Sequence, residues 1–162
     1  MSVWQPAYIG VGSNVDDPIA QVRRAAATLR TLDDTRVVCV SPLYGSTPFG
    51  PVAQPDFVNA VVAVLTQLPA RVLFAALRAL EVSLGRPVEH PKWGPRVIDL
   101  DLLVYGRERA SDVDLCLPHP GIKERNFVLL PLADIAPDLD IPGLGRVSEL
   151  AARASAKGVW PL

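Results

Sequence analysis

The chain has only two cysteines, Cys39 and Cys116, and two histidines. Two widely separated thiols exclude a disulfide framework and a zinc module, and both cysteines are expected to be buried packing residues. No apolar run approaches the roughly 20 residues of a membrane span, and residues 1–12 lack the basic start and cleavage site of a secretory signal. An excess of one charge is missing too. With 16 basic and 17 acidic residues the net charge is −1, which gives no general attraction to nucleic acid or to an anionic membrane. The G-x-x-x-x-G-K-[ST] loop and the protein-kinase signatures are also absent, which excludes the common nucleotide sites. The protein is expected to be cytoplasmic and monomeric, with one domain over residues 1–162. Its 49% apolar content can fill one core, and no repeat, low-complexity tract or linker divides it.

The pattern along the chain predicts an α+β fold. Ala7 to Val11 reads as a short strand ending in the turn residues Gly12-Ser13-Asn14. Asp17 is placed to cap a helix with Pro18 at its first position, and Ile19, Val22, Ala26 and Leu29 give that helix an apolar face. Thr35 to Val40 and Phe57 to Leu65 read as strands, joined by a long proline-rich loop from Pro42 to Pro55. Pro69 to Leu84 reads as a second helix, with Leu73, Ala76, Leu77 and Leu80 inward and Gly85 terminating it. A strand from Val97 to Tyr105 follows, then a short one near Leu115 to Leu117 and a short helix from Lys123 to Leu130 ended by Pro131. Because the second and third strands are joined by a loop, the sheet is expected to be mostly antiparallel. The tail from Asp140, with a helix-like stretch from Val147 to Ala154, reads as packing.

Chemistry concentrates in Trp93-Gly94-Pro95-Arg96-Val97-Ile98-Asp99-Leu100-Asp101. Alternate strand residues share a face, so Asp99 and Asp101 point the same way with Cα atoms roughly 6.6 Å apart. On an open face the pair would simply be solvated; in a buried strand ionised acids are costly unless paired or metal-bound. Mg²⁺ is commonly held by one or two carboxylates together with phosphate oxygens and water. Arg86, Lys92 and Arg96 lie just upstream, and guanidinium groups bind phosphate in forked pairs. Together these residues describe a site for a metal and a polyphosphate.

Other separated segments complete a pattern. They are Tyr8-Ile9-Gly10-Val11-Gly12-Ser13-Asn14, Tyr44-Gly45-Ser46-Thr47-Pro48-Phe49-Gly50-Pro51, and Gln54-Pro55-Asp56-Phe57-Val58-Asn59-Ala60. Glu81 with Gly85-Arg86, Pro118-His119-Pro120, and Arg125-x-Phe127-Val128-Leu129-x-Pro131-Leu132 follow in order. In these motifs, from Ala7 to about Leu139, the chain resembles the 6-hydroxymethyl-7,8-dihydropterin pyrophosphokinases of folate biosynthesis. The resemblance implies a ferredoxin-like α/β sandwich with helices on both sides of the sheet. It also implies transfer of pyrophosphate from ATP to 6-hydroxymethyl-7,8-dihydropterin, with release of AMP.

The site roles that follow are those the resemblance implies. Asp99 and Asp101 hold two Mg²⁺ ions, with Asp99 also near the pterin hydroxymethyl group, and Arg86 and Arg96 act on the transferred phosphates. Glu81, Lys92, Leu102, His119 and Arg125 are placed on the nucleotide side. Ser46, Thr47, Phe49, Phe57, Asn59, Trp93 and Phe127 are placed on the pterin side, with Phe57 and Phe127 stacking on its rings and Asn59 bonding its polar edge. Segment 85–95 is expected to act as a lid. The chain departs from the family at Asp114, where some members carry a basic nucleotide contact, and at Arg78, where some carry an amide. Lys92 stands where arginine is commoner and Phe57 where tyrosine is. An RNA-binding module of similar architecture would need basic flanks and an aromatic strand where this chain has acids; a catalytically inactive pterin-binding module would not need Asp99, Asp101 and Arg96.

Overall fold

The computed structural model describes residues 3–48, 50–87 and 94–162, so Phe49, Lys92, Trp93 and the centre of the expected lid lie outside the described residues. The first strand, β1, spans Gln5–Ser13, and helix α1 spans Pro18–Leu29. Asp17, in the left-handed region at φ 63°, caps α1 by accepting from Ala20 N at 3.4 Å. Val22, Ala25, Ala26 and Leu29 form its buried face; Ile19, expected inward, sits in the first turn and is exposed. Strands β2 (Thr35–Val40), β3 (Tyr44–Ser46) and β4 (Phe57–Thr66) follow. Thus the expected loop from Pro42 to Pro55 contains a short strand. It also breaks the packing expectation for Cys39, which is exposed because β2 pairs on one side only and the bulge near Val38 shifts its register.

Helix α2 (Ala70–Ser83) leads through Gly85, at φ 105°, toward β5 (Asp99–Tyr105). Two-residue strands β6 (Ala110–Ser111) and β7 (Cys116–Leu117) pair with each other. A 3₁₀ turn at Ile122–Glu124 precedes α3 (Asn126–Ile135). Pro131 does not end that helix: it lies inside it and is buried with Val128, Leu129 and Leu132, so packing outweighs the missing N–H. The remaining elements are β8 (Asp140–Ile141), β9 (Gly145–Arg146), α4 (Val147–Arg153) and β10 (Val159–Pro161).

Every strand pairing described is antiparallel. In the main sheet the order β2-β4-β1-β5 comes from two interleaved β-α-β units, the ferredoxin-like arrangement, and β3 and β10 extend it. β4 lies inside the sheet and reads Val58-Asn59-Ala60-Val61-Val62 with all five buried, as expected when helices cover both faces. On one face α1 and α2 bury Ile9, Val22, Leu29, Leu73, Leu77, Leu100 and Leu102. On the other, α3 and α4 bury Val61, Leu103, Leu129, Leu132 and Val147. The result is an α+β sandwich with helices on both sides.

Candidate active site

Register sets the floor of the site. Gly12 lies opposite Asn59 of β4 on one side and Asp99 of β5 on the other; Gly10 lies opposite Val61 and Asp101. Side chains of one register row share a face, so Asn59, Asp99 and Asp101 rise from the same side of the sheet, the side that α3 partly covers. The two glycines leave the space between them open. A Cβ at Gly12 would stand 3.4 Å from Asn59 Oδ1, and one at Gly10 would touch the Leu103 side chain. Here lies a half-open cleft of about 260 Å³, lined by Gly10, Gly12, Ser46, Thr47, Gln54, Phe57, Asn59, Arg78, Arg86, Arg96, Asp99, Asp101, His119, Arg125 and Phe127 among others.

At the β5 wall the acids are about a third exposed, with side-chain accessibilities of 30% for Asp99 and 32% for Asp101. Asp99 Oδ1 accepts from Arg86 Nη1 at 2.5 Å and from Arg96 Nη1 at 3.4 Å. Asp101 has Arg78 at 3.8 Å and Arg125 at 3.9 Å. Burial first, and the neighbouring Asp101 charge second, push the Asp99 carboxyl above its ordinary range, while Arg86, Arg96 and Arg78 pull it down. Two adjacent oxygen donors whose mutual repulsion raises a proton affinity are suited to a hard divalent cation, which relieves that repulsion; the residues present therefore fit Mg²⁺.

Glu81, expected on the nucleotide side, is only 3% exposed. Its Oε2 accepts from Leu100 N at 2.7 Å and from Arg86 Nη1 at 2.7 Å, and its Oε1 from Arg78 Nη1 at 2.9 Å. It thus joins α2 to the open edge of β5 and aims Arg86 at Asp99. Burial raises its carboxyl above the usual range against the lowering by Leu100 N–H, Arg78 and Arg86. Leu102 is also on β5. It faces away from the two acids into the core of the α1 and α2 face, so only its backbone is available to a ligand.

His119 is half-buried, and its Nδ1 accepts from Gly121 N at 3.0 Å, which puts the proton of the neutral ring on Nε2. Burial lowers its pKa; the Asp101 charge opposes this and Arg125 adds to it. Arg125 stacks toward the Phe127 ring at 6.0 Å. On the β3 and β4 side, Asn59 Nδ2 donates to Ser46 Oγ at 2.8 Å, and Phe57 lies across from Ser46 in register.

Two contributors carried no role in the sequence reading. Asn14 is buried, exchanges backbone and side-chain bonds with Arg96 (Arg96 N to Asn14 Oδ1, 2.8 Å), and donates to Gln54 Oε1 at 3.0 Å and Pro55 O at 2.9 Å. It fixes the base of Arg96 and the loop ahead of Phe57; a polar residue immediately after an apolar strand was the available signal. Arg78, noted only as a departure, lines the cleft and bonds Leu100 O as well as Glu81. Asp114 lies away from the cleft, exposed and 3.6 Å from Arg71.

Two carboxylates ringed by four guanidiniums, beside two aromatic rings, define a site for polyphosphate chemistry. The profile described as 7,8-dihydro-6-hydroxymethylpterin-pyrophosphokinase matches residues 8–137. The chain is 43% identical over 155 residues to the 2-amino-4-hydroxy-6-hydroxymethyldihydropteridine pyrophosphokinase of Pseudomonas aeruginosa, covering 96% of this chain and 95% of that one. It is 43% identical over 153 residues to the protein of the same description from Methylorubrum extorquens, covering 94% and 96%. Among solved structures, wild-type HPPK-DHPS of Plasmodium falciparum with SDX-DHP superposes with a TM-score of 0.73 at 13% identity. That match spans 94% of this chain and 45% of that one, and it shows the fold alone. The chain belongs to the 7,8-dihydro-6-hydroxymethylpterin-pyrophosphokinase family. It is a pyrophosphokinase of folate biosynthesis, transferring pyrophosphate to the hydroxymethyldihydropterin.

Proposed function

We propose that ATP is the pyrophosphoryl donor, that its phosphates lie over Asp99 and Asp101 among Arg78, Arg86, Arg96 and Arg125, and that the pterin stacks between Phe57 and Phe127. The hydroxymethyl oxygen attacks the β-phosphorus of ATP, the bond from that phosphorus to the oxygen bridging to the α-phosphate breaks, and AMP leaves. The hydroxyl proton passes to solvent, because no side chain among the described residues of the cleft is set apart as its base. Asp99 and Asp101 hold Mg²⁺, which when bound, as two ions, neutralises phosphate charge. Arg86 and Arg96, already directed at Asp99, stabilise the charge that develops on the transferred group, with positioning supplying the rest of the rate. His119 Nε2–H donates to a phosphate oxygen. Leu102 offers its backbone to the nucleotide along the open edge of β5. Ser46, Thr47 and Asn59 bond the polar edge of the pterin. Lys92 on the phosphates, and Phe49 and Trp93 on the pterin, keep the roles the family resemblance implies.

The observation that carries this reading is the single cleft in which Asp99, Asp101 and four arginines meet Phe57, Asn59 and Phe127. The test is AMP release from ATP with and without 6-hydroxymethyl-7,8-dihydropterin, each with Mg²⁺ and with a chelator. AMP should form only when pterin and Mg²⁺ are both present. AMP formation independent of pterin, or undiminished by the chelator, overturns the assignment.

A further inference from the structure

The last residues of the chain, read from sequence as packing, touch both sides of the cleft region assigned to the pterin without lining it. β10 pairs with β3 in the register Val159 to Ser46, Trp160 to Gly45 and Pro161 to Tyr44. Thr47 N donates to Gly158 O at 2.9 Å, and Leu162 N to Leu43 O at 3.0 Å. Trp160 packs against Gly45: a Cβ there would meet the indole ring at 2.4 Å, so the glycine is what admits the ring. At the other wall, Asn126, the residue before Phe127, donates through Nδ2 to Ser155 O at 2.7 Å and Lys157 O at 3.0 Å. One short segment therefore fixes Ser46 and Thr47 relative to Phe127. The Asp99, Asp101 and Arg86 wall sits across the sheet on β5 and the end of α2, and these bonds do not reach it. The segment also lies outside the residues matched by the family profile.

We propose that residues 155–162 form a positioning brace that sets pterin affinity, holding the β3 wall and the start of α3 at the separation a flat bicyclic ring requires, and leaving the Asp99, Asp101 and Arg86 wall untouched. The inference rests on the pterin placement proposed above. Its energetic logic is preorganisation: a pocket whose walls are already spaced loses less free energy on ordering around the ligand.

Three variants test it. Gly158→Ala adds a methyl group at a residue with φ +73°, with its Cβ 2.6 Å from Thr47 Oγ1, and so displaces Thr47 without deleting anything. Asn126→Ala cuts the tie to α3, and removal of residues 158–162 cuts the tie to β3. Steady-state kinetics should show KM for the hydroxymethylpterin raised about tenfold in each, with KM for ATP within about twofold of the parent in Gly158→Ala and the truncated form, which leave the residue beside Arg125 in place. Direct titration with the pterin in the presence of a non-hydrolysable ATP analogue should give the same split. Melting curves identify any failure of the truncated form to fold, in which case the two point variants decide. Phe127→Ala and Asn59→Ala serve as references for the pterin site itself. If these two weaken pterin binding while the brace variants leave it unchanged, or shift pterin and ATP equally, the brace is refuted and the pterin site stands. If Phe127→Ala and Asn59→Ala leave pterin affinity intact, the pterin placement falls and the brace falls with it.

Discussion

Glu81→Gln separates a residue that builds the site from residues that act in it. In the parent, three donors converge on two carboxylate oxygens: Leu100 N–H and Arg86 on Oε2, and Arg78 on Oε1, all between 2.7 and 2.9 Å. Glutamine keeps the shape but offers one acceptor, so its NH₂ group must face either Arg78 or the pair of Leu100 and Arg86. Each donor left facing a donor costs about 1–3 kcal/mol. Removing a charge that burial already disfavours offsets part of this, since burial is the larger influence raising the Glu81 carboxyl. The net expectation is a loss of about 2 kcal/mol, which for a domain of this size lowers Tm by roughly 4–8 °C. Arg86 also loses one of the two carboxylates that aim it, so kcat should fall at least about tenfold with a smaller change in ATP affinity. Thermal melts of the ligand-free protein and steady-state kinetics read both effects. If Glu81 were only a nucleotide contact, KM for ATP would rise while the ligand-free Tm stayed within about 1 °C of the parent, and that outcome refutes the reasoning.

Asp99→Asn and Asp101→Asn should abolish transfer while the ligand-free protein melts no more than about 2 °C below the parent, because each removes one member of a repelling pair; turnover near the parent's in both would sink the metal assignment. His119 should contribute a pH-dependent stability. Its pKa is lowered in the fold, so the unfolded chain takes up the proton first, and stability present above about 6.5 is lost as pH falls through the folded value. Urea midpoints from pH 5 to 7.5 should therefore fall more steeply in the parent than in His119→Asn; equal slopes would contradict the burial of the imidazole. Tyr44, pushed up to about 12 by burial and by its bond to Asp134, should be the last of the three tyrosines to ionise in a spectrophotometric titration. Tyr44→Phe should remove that final step, and its survival would show that β3 is not tied to α3 through Asp134.

How much of this could be read beforehand follows from which forces are local. The strand carrying Asp99 and Asp101, the Asp17 cap with Pro18, and the Gly85 terminus are set by alternation, capping and φ preference, and these act within a few residues. Gly12 was visible as part of a turn composition and Gly10 as part of a strand, but their use as a floor depends on the register of β1 with β4 and β5, which is a tertiary property. The burial of Glu81 was illegible for a related reason: an acid on a helix is solvated unless a strand edge and two guanidiniums come to it. β10 was invisible because three residues carry almost no periodicity, and pairing with β3 is what makes them a strand. Pro131 misled because the rule that proline ends a helix is weaker than the burial of Leu129 and Leu132 around it. Cys39 misled in the other direction, since an apolar strand at a sheet edge need not be covered.

The position of β5 explains why one strand can be both core and site. Within the sheet it pairs only with β1, so its outer peptide groups are open among the described residues. An open edge ordinarily invites pairing with another chain. Here Glu81 and Arg78 occupy it, accepting from Leu100 N and donating to Leu100 O, and further along His119 N donates to Leu103 O. Two side chains and one backbone N–H thus replace a neighbouring strand, and unlike a strand the side chains bring charge. Leu100 and Leu102 anchor the inner face in the core while Asp99 and Asp101 keep about a third of their surface open to the cleft. In the centre of the sheet the same two acids would be flanked by strands on both sides and deprived of solvent, cation and guanidinium together. At the edge, α2 can deliver Arg78 and the residue just past it Arg86. The ionised pair is then held by protein cations when the cleft is empty and is available to a metal and phosphates when it is filled.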